Sequence, residues 1–280
     1  LTYLFKSYAK INLNLFVGPP LSGGLHPIKS RFQSINVYDT IALTPSSLPK
    51  HTVTFSHPDI PDDNTCTKML LALGARLKQT WAITIHKQVP FGAGLGGGSS
   101  NAATLLLALN QLENLQLLLS DQVTLAQTVG SDVPFFLVGG HANVSGVGEV
   151  IEPVASRSMH NTVLLIMPKI HLSTPEVYRA LDTLGEFDDL PSVDLLDDRR
   201  IGENRLLLAA KSISPELASL HYALETTLNE PVYMSGSGST LFMLPPNKHV
   251  QTHWLNELNA SFSSTVCREC QFVIGTEGRT

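Results

Sequence analysis

Positive charge is scarce in this chain. Its 280 residues carry 19 Lys+Arg against 24 Asp+Glu, a formal net charge of −5. A nucleic-acid groove or an anionic lipid surface calls for a basic excess, and none is present. An anionic ligand must therefore be held locally, by main-chain amides and one or two placed cations. Long apolar runs are missing too, since no stretch approaches the ~20 residues that a membrane helix needs. The N-terminal LTYLFKSYAKINLNLF carries Lys6 and Lys10 inside its apolar pattern and lacks a small-residue cleavage site, which argues against a signal peptide. Cysteine is reduced to Cys66, Cys267 and Cys270, too few for a disulfide framework and in keeping with a reducing cytoplasm. Internal repeats and low-complexity tracts are absent.

The remaining composition is that of a globular protein: 43% hydrophobic and 15% charged residues. The length suits one large domain or two modest ones. Thr52–Phe55, Trp81–His86 and Thr162–Met167 read as strands, as do the longer alternating runs Tyr8–Val17 and Phe32–Leu43. Helices are expected at Thr67–Leu77 behind Asp62-Asp63-Asn64, at Ala102–Leu112, from a Ser120-Asp121 cap to Val129, near Glu203–Lys211 and at Pro215–Leu228. The polar, acidic span Gly185–Arg200 reads as a linker. Strands and helices mix without strict βα alternation, so the fold class is α+β.

His249-x-x-x-His253 upstream of Cys267-x-x-Cys270 has zinc-ligand spacing in reversed order. The competing reading, a surface helix followed by a strand that holds the cysteines, is favoured because no compact turn chemistry lies between the pairs.

The most informative stretch is Pro90-Phe91-Gly92-Ala93-Gly94-Leu95-Gly96-Gly97-Gly98-Ser99-Ser100-Asn101. Glycines there free the backbone for positive φ and let a bulky ligand touch the main chain. The helix that follows offers unpaired N–H groups and a partial positive charge, which favour a phosphate. Three phosphate-binding patterns fail. A Walker loop needs Lys-Ser/Thr after its last glycine, and Gly98 is followed by Ser99-Ser100. Gly92-x-Gly94-x-x-Gly97 matches the dinucleotide fingerprint as a string, without the second strand and terminal acid that should follow. The further signatures of protein kinases are missing.

The surviving pattern is a proline, a glycine-rich loop, two serines and a small-residue helix. PFGAGLGGGSSNAA resembles the second motif of the GHMP kinases, a superfamily of small-molecule kinases. Ser7-Tyr8-Ala9-Lys10-Ile11-Asn12-Leu13 resembles the first motif, and Ser235-Gly236-Ser237-Gly238-Ser239-Thr240 the third. Order and separation agree, so the resemblance covers nearly the whole chain. It implies an N-terminal ATP-binding domain with a ribosomal-protein-S5-like fold over residues 1–153 and a C-terminal ferredoxin-like domain over residues 154–280, with the active site between them. AKINL, GLGGGSSNAA and GSDVPFF together are similar to the branch whose acceptor is a cytidine diphosphate-linked methylerythritol. Homoserine- or mevalonate-type kinases, and a non-catalytic ATP or metabolite sensor on the same scaffold, are the alternatives.

By that resemblance Lys10 and Asp132 are catalytic, the aspartate as base and the lysine as its partner. Pro90 through Ser100 would hold ATP and its Mg²⁺, with Ser99 or Ser100 available to the metal; Asn64 and Lys87 would flank the adenine side. Asn12, His26, Thr174, Pro175, Tyr178, Gly236 and Gly238 would meet the cytidylated substrate. Leu25 stands where an aromatic residue commonly precedes the histidine, so one wall of the base site is weaker or supplied elsewhere. A cytoplasmic enzyme, monomeric or weakly dimeric, without nucleic-acid or membrane partners is expected.

Overall fold

The computed structural model describes residues 1–155, 162–190 and 200–273. Two sheets organise the chain. The first holds β1 (Tyr3–Val17), β2 (Ile28–Ser46), β3 (Thr52–Phe55), β4 (Thr80–His86), β5 (His141–Ser145) and β6 (Val150–Pro153), in the order β3-β4-β2-β5-β6 with β1 also paired to β2. The β3–β4 pair is parallel and the rest are antiparallel. Four helices belong to this half: α1 (Thr65–Leu73), α2 (Gly97–Leu112), α3 (Leu119–Val129) and α4 (Val133–Val138).

The second sheet is built from β7 (Thr162–Met167), β8 (Tyr233–Met234), β9 (Leu241–Met243) and β10 (Val266–Gln271), in the order β10-β7-β9-β8. With α5 (Thr174–Leu184), α6 (Leu206–Ile213), α7 (Pro215–Leu228) and α8 (Lys248–Ser261), it gives the βαββαβ order of a ferredoxin-like unit with two helices added before β8.

Period-two alternation explains how the halves join. Val163, Leu165 and Met167 of β7 pack with Ala9, Ile11 and Leu13 of β1, whereas Leu164 and Ile166 face the helices. On β1 the same alternation turns Lys10 and Asn12 away from that apolar layer. Register shifts at Tyr8/Ala9 and Asn12/Asn14 confine the arrangement to a few residues. The sheets also touch edgewise through an Ile35–Phe272 bridge.

Several boundaries differ from expectation. Gly74, at φ 49°, ends α1 at Leu73, and α2 begins at Gly97, five residues before Ala102. Leu118 occupies the cap position of α3, and Asp121 accepts its N–H at 3.2 Å from inside the first turn. Much of the expected linker, residues 191–199, lies outside the described residues. Its described part is docked. Asp188 accepts the Val17 N–H at 2.8 Å and the Arg205 guanidinium at 2.9 and 2.5 Å, fixing this segment to the end of β1. Both guanidinium bonds converge on Oδ1, and this contact raises the Arg205 pKa.

Candidate functional site

A cleft of about 890 Å³ lies between the two halves. Its floor is the glycine stretch, caught between β1 and the Ser235–Thr240 turn. Lys10 N–H donates to the Leu95 carbonyl at 3.0 Å from one side. From the other, Ser235 Oγ donates to the Gly94 carbonyl at 2.9 Å and Thr240 N–H to that of Ala93 at 3.3 Å. The approach needs glycine: at Gly94, φ 74°, a Cβ would run into the Ser235 carbonyl oxygen. Gly96, in the left-handed region at φ 68°, is the N-cap of α2 and supplies no side-chain acceptor. The first-turn N–H groups of α2 therefore have no side-chain cap. A dipole end of this kind favours an anion, and Gly97, Gly98 and Ser99 all line the cleft.

Lys10 and Asp132 meet at this floor, Nζ to Oδ2 at 3.5 Å. The lysine side chain is 4% exposed and the aspartate 31%. Lys10 Nζ also donates to Asn12 Oδ1 at 2.5 Å and sits 4.2 Å from the Phe32 ring centroid. Burial holds its pKa below the ordinary 10.5, and Asp132 only partly offsets this. Asp132 precedes α4 as its N-cap residue, yet its side chain makes no capping hydrogen bond, so the carboxylate is turned to the cleft.

Lys87 spends its charge inside the fold. Its ammonium is ion-paired with Asp39, whose side chain is 0% exposed. Asp39 also accepts from Gln88 N–H at 2.7 Å, Val89 N–H at 2.8 Å and Asn101 Nδ2 at 3.0 Å. This carboxylate carried no signal in the sequence, where NVYDTIAL reads as an ordinary strand. It anchors both flanks of the glycine stretch.

The expected site residues separate into three groups. Lys10, Asn12, His26, Asn64, Lys87, Pro90 through Ser99, Asp132, Thr174, Pro175, Tyr178 and Gly236 all line the cleft. Besides Lys87, which is committed to Asp39, two of these spend their polar atoms internally. Asn64 Oδ1 caps α1 by accepting from Cys66 and Thr67 N–H, while its amide donates to the Pro61 and Asp62 carbonyls. Asn12 is divided between Lys10 and Ser30 Oγ, the latter at 3.0 Å. Ser100 and Gly238 are corrections. Ser100 is fully buried, donating to the Tyr8 carbonyl at 2.7 Å and accepting from Ser7 Oγ at 2.8 Å, so its hydroxyl is not offered to the cleft. Gly238 packs against Met234 and Leu172 instead.

At the opposite end, Thr174 Oγ1 and Ser237 Oγ are 2.7 Å apart, tying α5 to the Ser235–Thr240 turn. The buried His26 ring lies 5.1 Å from the Tyr178 ring and is stacked on Phe187 at 5.8 Å. Burial, with Asp132 adding, raises the Tyr178 pKa, so its hydroxyl stays protonated. Leu25 lines the cleft, whereas Phe187 stacks on His26 and is not part of the lining. His249 and His253 fall on α8, and Cys267 and Cys270 on β10. No group of three or more His, Cys, Asp or Glu side chains is placed to hold a metal ion among the described residues.

The sequence model described as the GHMP kinases N terminal domain matches residues 64–140. A 4-diphosphocytidyl-2-C-methyl-D-erythritol kinase of Alkaliphilus oremlandii (strain OhILAs) is 34% identical over 85% of this chain and 86% of its own. The chain belongs to the 4-diphosphocytidyl-2-C-methyl-D-erythritol kinase family. A Nocardioides member (strain ATCC BAA-499 / JS614) is 35% identical, covering 85% of this chain and 87% of its own. The crystal structure of a 4-(cytidine 5'-diphospho)-2C-methyl-D-erythritol kinase superposes with a TM-score of 0.77 at 31% identity, over 96% of this chain and 99% of that one. A mevalonate kinase structure, TM-score 0.70 at 12% identity over 97% of this chain and 99% of that one, shares the fold. Membership makes the protein a small-molecule kinase of the two-domain α+β GHMP architecture. No described helix is long and apolar enough to cross a membrane.

Proposed function

We propose that the protein transfers the γ-phosphoryl group of ATP to the 2-hydroxyl of 4-diphosphocytidyl-2-C-methyl-D-erythritol, in the non-mevalonate route to isoprenoid precursors. The observation that carries the reading is a lysine–carboxylate pair with an open carboxylate, set against an uncapped helix N-terminus in one cleft. Phosphoryl transfer asks for charge neutralisation, alignment of the attacking hydroxyl and a destination for its proton. The first-turn amides of α2 and the glycine loop meet the phosphates. Asp132 accepts the hydroxyl proton as that oxygen bonds to the γ-phosphorus and the bond to the ADP oxygen breaks. Lys10, held by Asn12, pairs with Asp132 and faces the charge on the transferring group. ADP leaves and the phosphomonoester remains.

Ser99 on the cleft wall and the Asp132 carboxylate are oxygen donors of the kind Mg²⁺ takes, and they fit that ion alongside phosphate oxygens. When bound, it neutralises phosphate charge. The acceptor's nucleotide end reaches His26 and Tyr178. The division at 153/154 falls where β6 closes the first sheet, and the enzyme works in the cytoplasm.

A coupled assay offering ATP with the cytidylated methylerythritol, homoserine or mevalonate tests the reading. ADP release is expected with the first alone. Turnover only with homoserine or mevalonate contradicts the assignment, and nucleotide binding without transfer to any acceptor points to a sensor.

A further inference from the structure

Asn204 does not line the cleft, yet every polar group of its side chain is committed. It lies just before α6 and its backbone is tied to β1. Leu15 N–H donates to the Glu203 carbonyl at 2.7 Å, and Arg205 N–H to that of Leu15 at 2.9 Å. Asn204 thus bridges in parallel to Leu15, three residues past Asn12. Its Nδ2 donates to the Met234 carbonyl at 2.8 Å and to the Gly236 carbonyl at 2.9 Å. Its Oδ1 accepts from Leu206 N–H at 2.9 Å. That last bond serves the start of α6, and a serine or an aspartate would make it as well. Both amide hydrogens go elsewhere, to the carbonyls on either side of Ser235.

Ser235 is where those two bonds act. It is fully buried, and its hydroxyl donates to the Gly94 carbonyl at 2.9 Å while accepting from Asn12 N–H at 3.2 Å. Asn12 in turn holds Lys10, the partner of Asp132. We propose that Asn204 is a positioning residue for phosphoryl transfer. By gripping the chain on both sides of Ser235 it fixes the Ser235–Thr240 turn against β1, and through Asn12 it fixes the Lys10–Asp132 pair. This rests on the reading of the cleft as a kinase site. β8 ends the second sheet, and there the asparagine amide takes the place of a neighbouring strand. The phosphate end of the cleft is anchored independently, by Asp39 accepting from Val89 N–H and by Ser100 Oγ donating to the Tyr8 carbonyl. Loss of the Asn204 amide should therefore disturb the alignment of the attacking hydroxyl and leave nucleotide binding in place.

Steady-state kinetics of Asn204→Asp and Asn204→Ser with ATP and the cytidylated methylerythritol test this, beside calorimetric titration of a non-hydrolysable ATP analogue and thermal melting. Both variants keep an acceptor for Leu206 N–H and lose the two donors; serine does so without adding a charge. In each, kcat should fall ~10-fold or more while the Kd of the analogue stays within ~3-fold of wild type. Ser235→Ala alone should lower kcat as well, and should cost less when added to Asn204→Ser, because both act on one chain of contacts. Wild-type kcat in either Asn204 variant overturns the proposal, as does full additivity with Ser235→Ala. A fall in kcat matched by loss of analogue binding, or loss of a cooperative melt in both variants, assigns Asn204 to the scaffold and also overturns it. Turnover of homoserine or mevalonate alone by the wild type would sink the acceptor reading, and the same variants assayed with that alcohol would still decide the positioning role.

Discussion

Two lysine–carboxylate pairs flank the glycine loop, and they are built for opposite purposes. Asp39 is fully buried and takes donors from Lys87, two backbone amides and Asn101, so its lone pairs are spent. Asp132 is 31% exposed, faces the cleft and meets Lys10 at 3.5 Å. A saturated carboxylate holds a structure together but has no capacity to take a substrate proton. An unsaturated one beside a buried ammonium is poor scaffolding and good chemistry. The same pair of residue types thus yields an anchor in one place and a base in the other, decided by how many donors the fold sends to the acid.

Exchanging the acids' properties should break this contrast in opposite directions. Asp132→Asn is expected to lower kcat by ~10²-fold or more, with melting temperature and ATP-analogue affinity near those of the wild type. Asp39→Asn should act on the fold instead, costing about 3 kcal/mol in denaturant unfolding, because an amide cannot accept from all four donors that converge on this fully buried group. Activity lost in Asp39→Asn at unchanged stability would blur the distinction.

Lys10→Met sharpens the comparison. Turnover should drop ~10²-fold, while stability is kept or improved, since burying the ammonium costs more than Asp132 returns. The pH dependence has a definite sign. The folded pKa of Lys10 lies below 10.5, so between the two values the unfolded chain binds more protons and stability rises with pH. The burial cost is fully present below the folded pKa. Any stability advantage of Lys10→Met over wild type should therefore shrink as pH climbs toward 10.5, as denaturant melts at successive pH values would show. The smallest effects separate the two serines. Ser100→Ala should cost about 1 kcal/mol of stability through its lost hydrogen bonds, whereas Ser99→Ala should leave stability alone and raise the Mg²⁺ requirement in the kinase assay.

Much of this was legible from local sequence, and the failures have a common cause. Thr52–Phe55, Thr162–Met167 and Pro215–Leu228 fall where pattern and turn residues place them. The glycine loop is legible from its own residues, whereas Lys10 and Asp132 stand out only through the motif resemblance. Helix α5 was missed although Ser173-Thr174-Pro175-Glu176 opens it and Gly185 closes it, signals that an apolar stripe of Val177 and Leu181 reinforces. Helix α4 was missed for a different reason: Val-Pro-Phe-Phe-Leu-Val is apolar throughout and has no period to read. Asp39 left no trace because its role arises only when distant segments meet. Asn64 shows the reverse, a residue with a strong local cap signature whose side chain the structure spends on that cap.

The most direct test of the account is the single-turnover rate of Asp132→Asn with ATP and the cytidylated methylerythritol, measured beside wild type at matched melting temperature. A fall of ~10²-fold or more with intact nucleotide binding is the predicted result. A rate close to wild type would show that the open carboxylate does not take the proton, and would contradict the division of labour between the two acids.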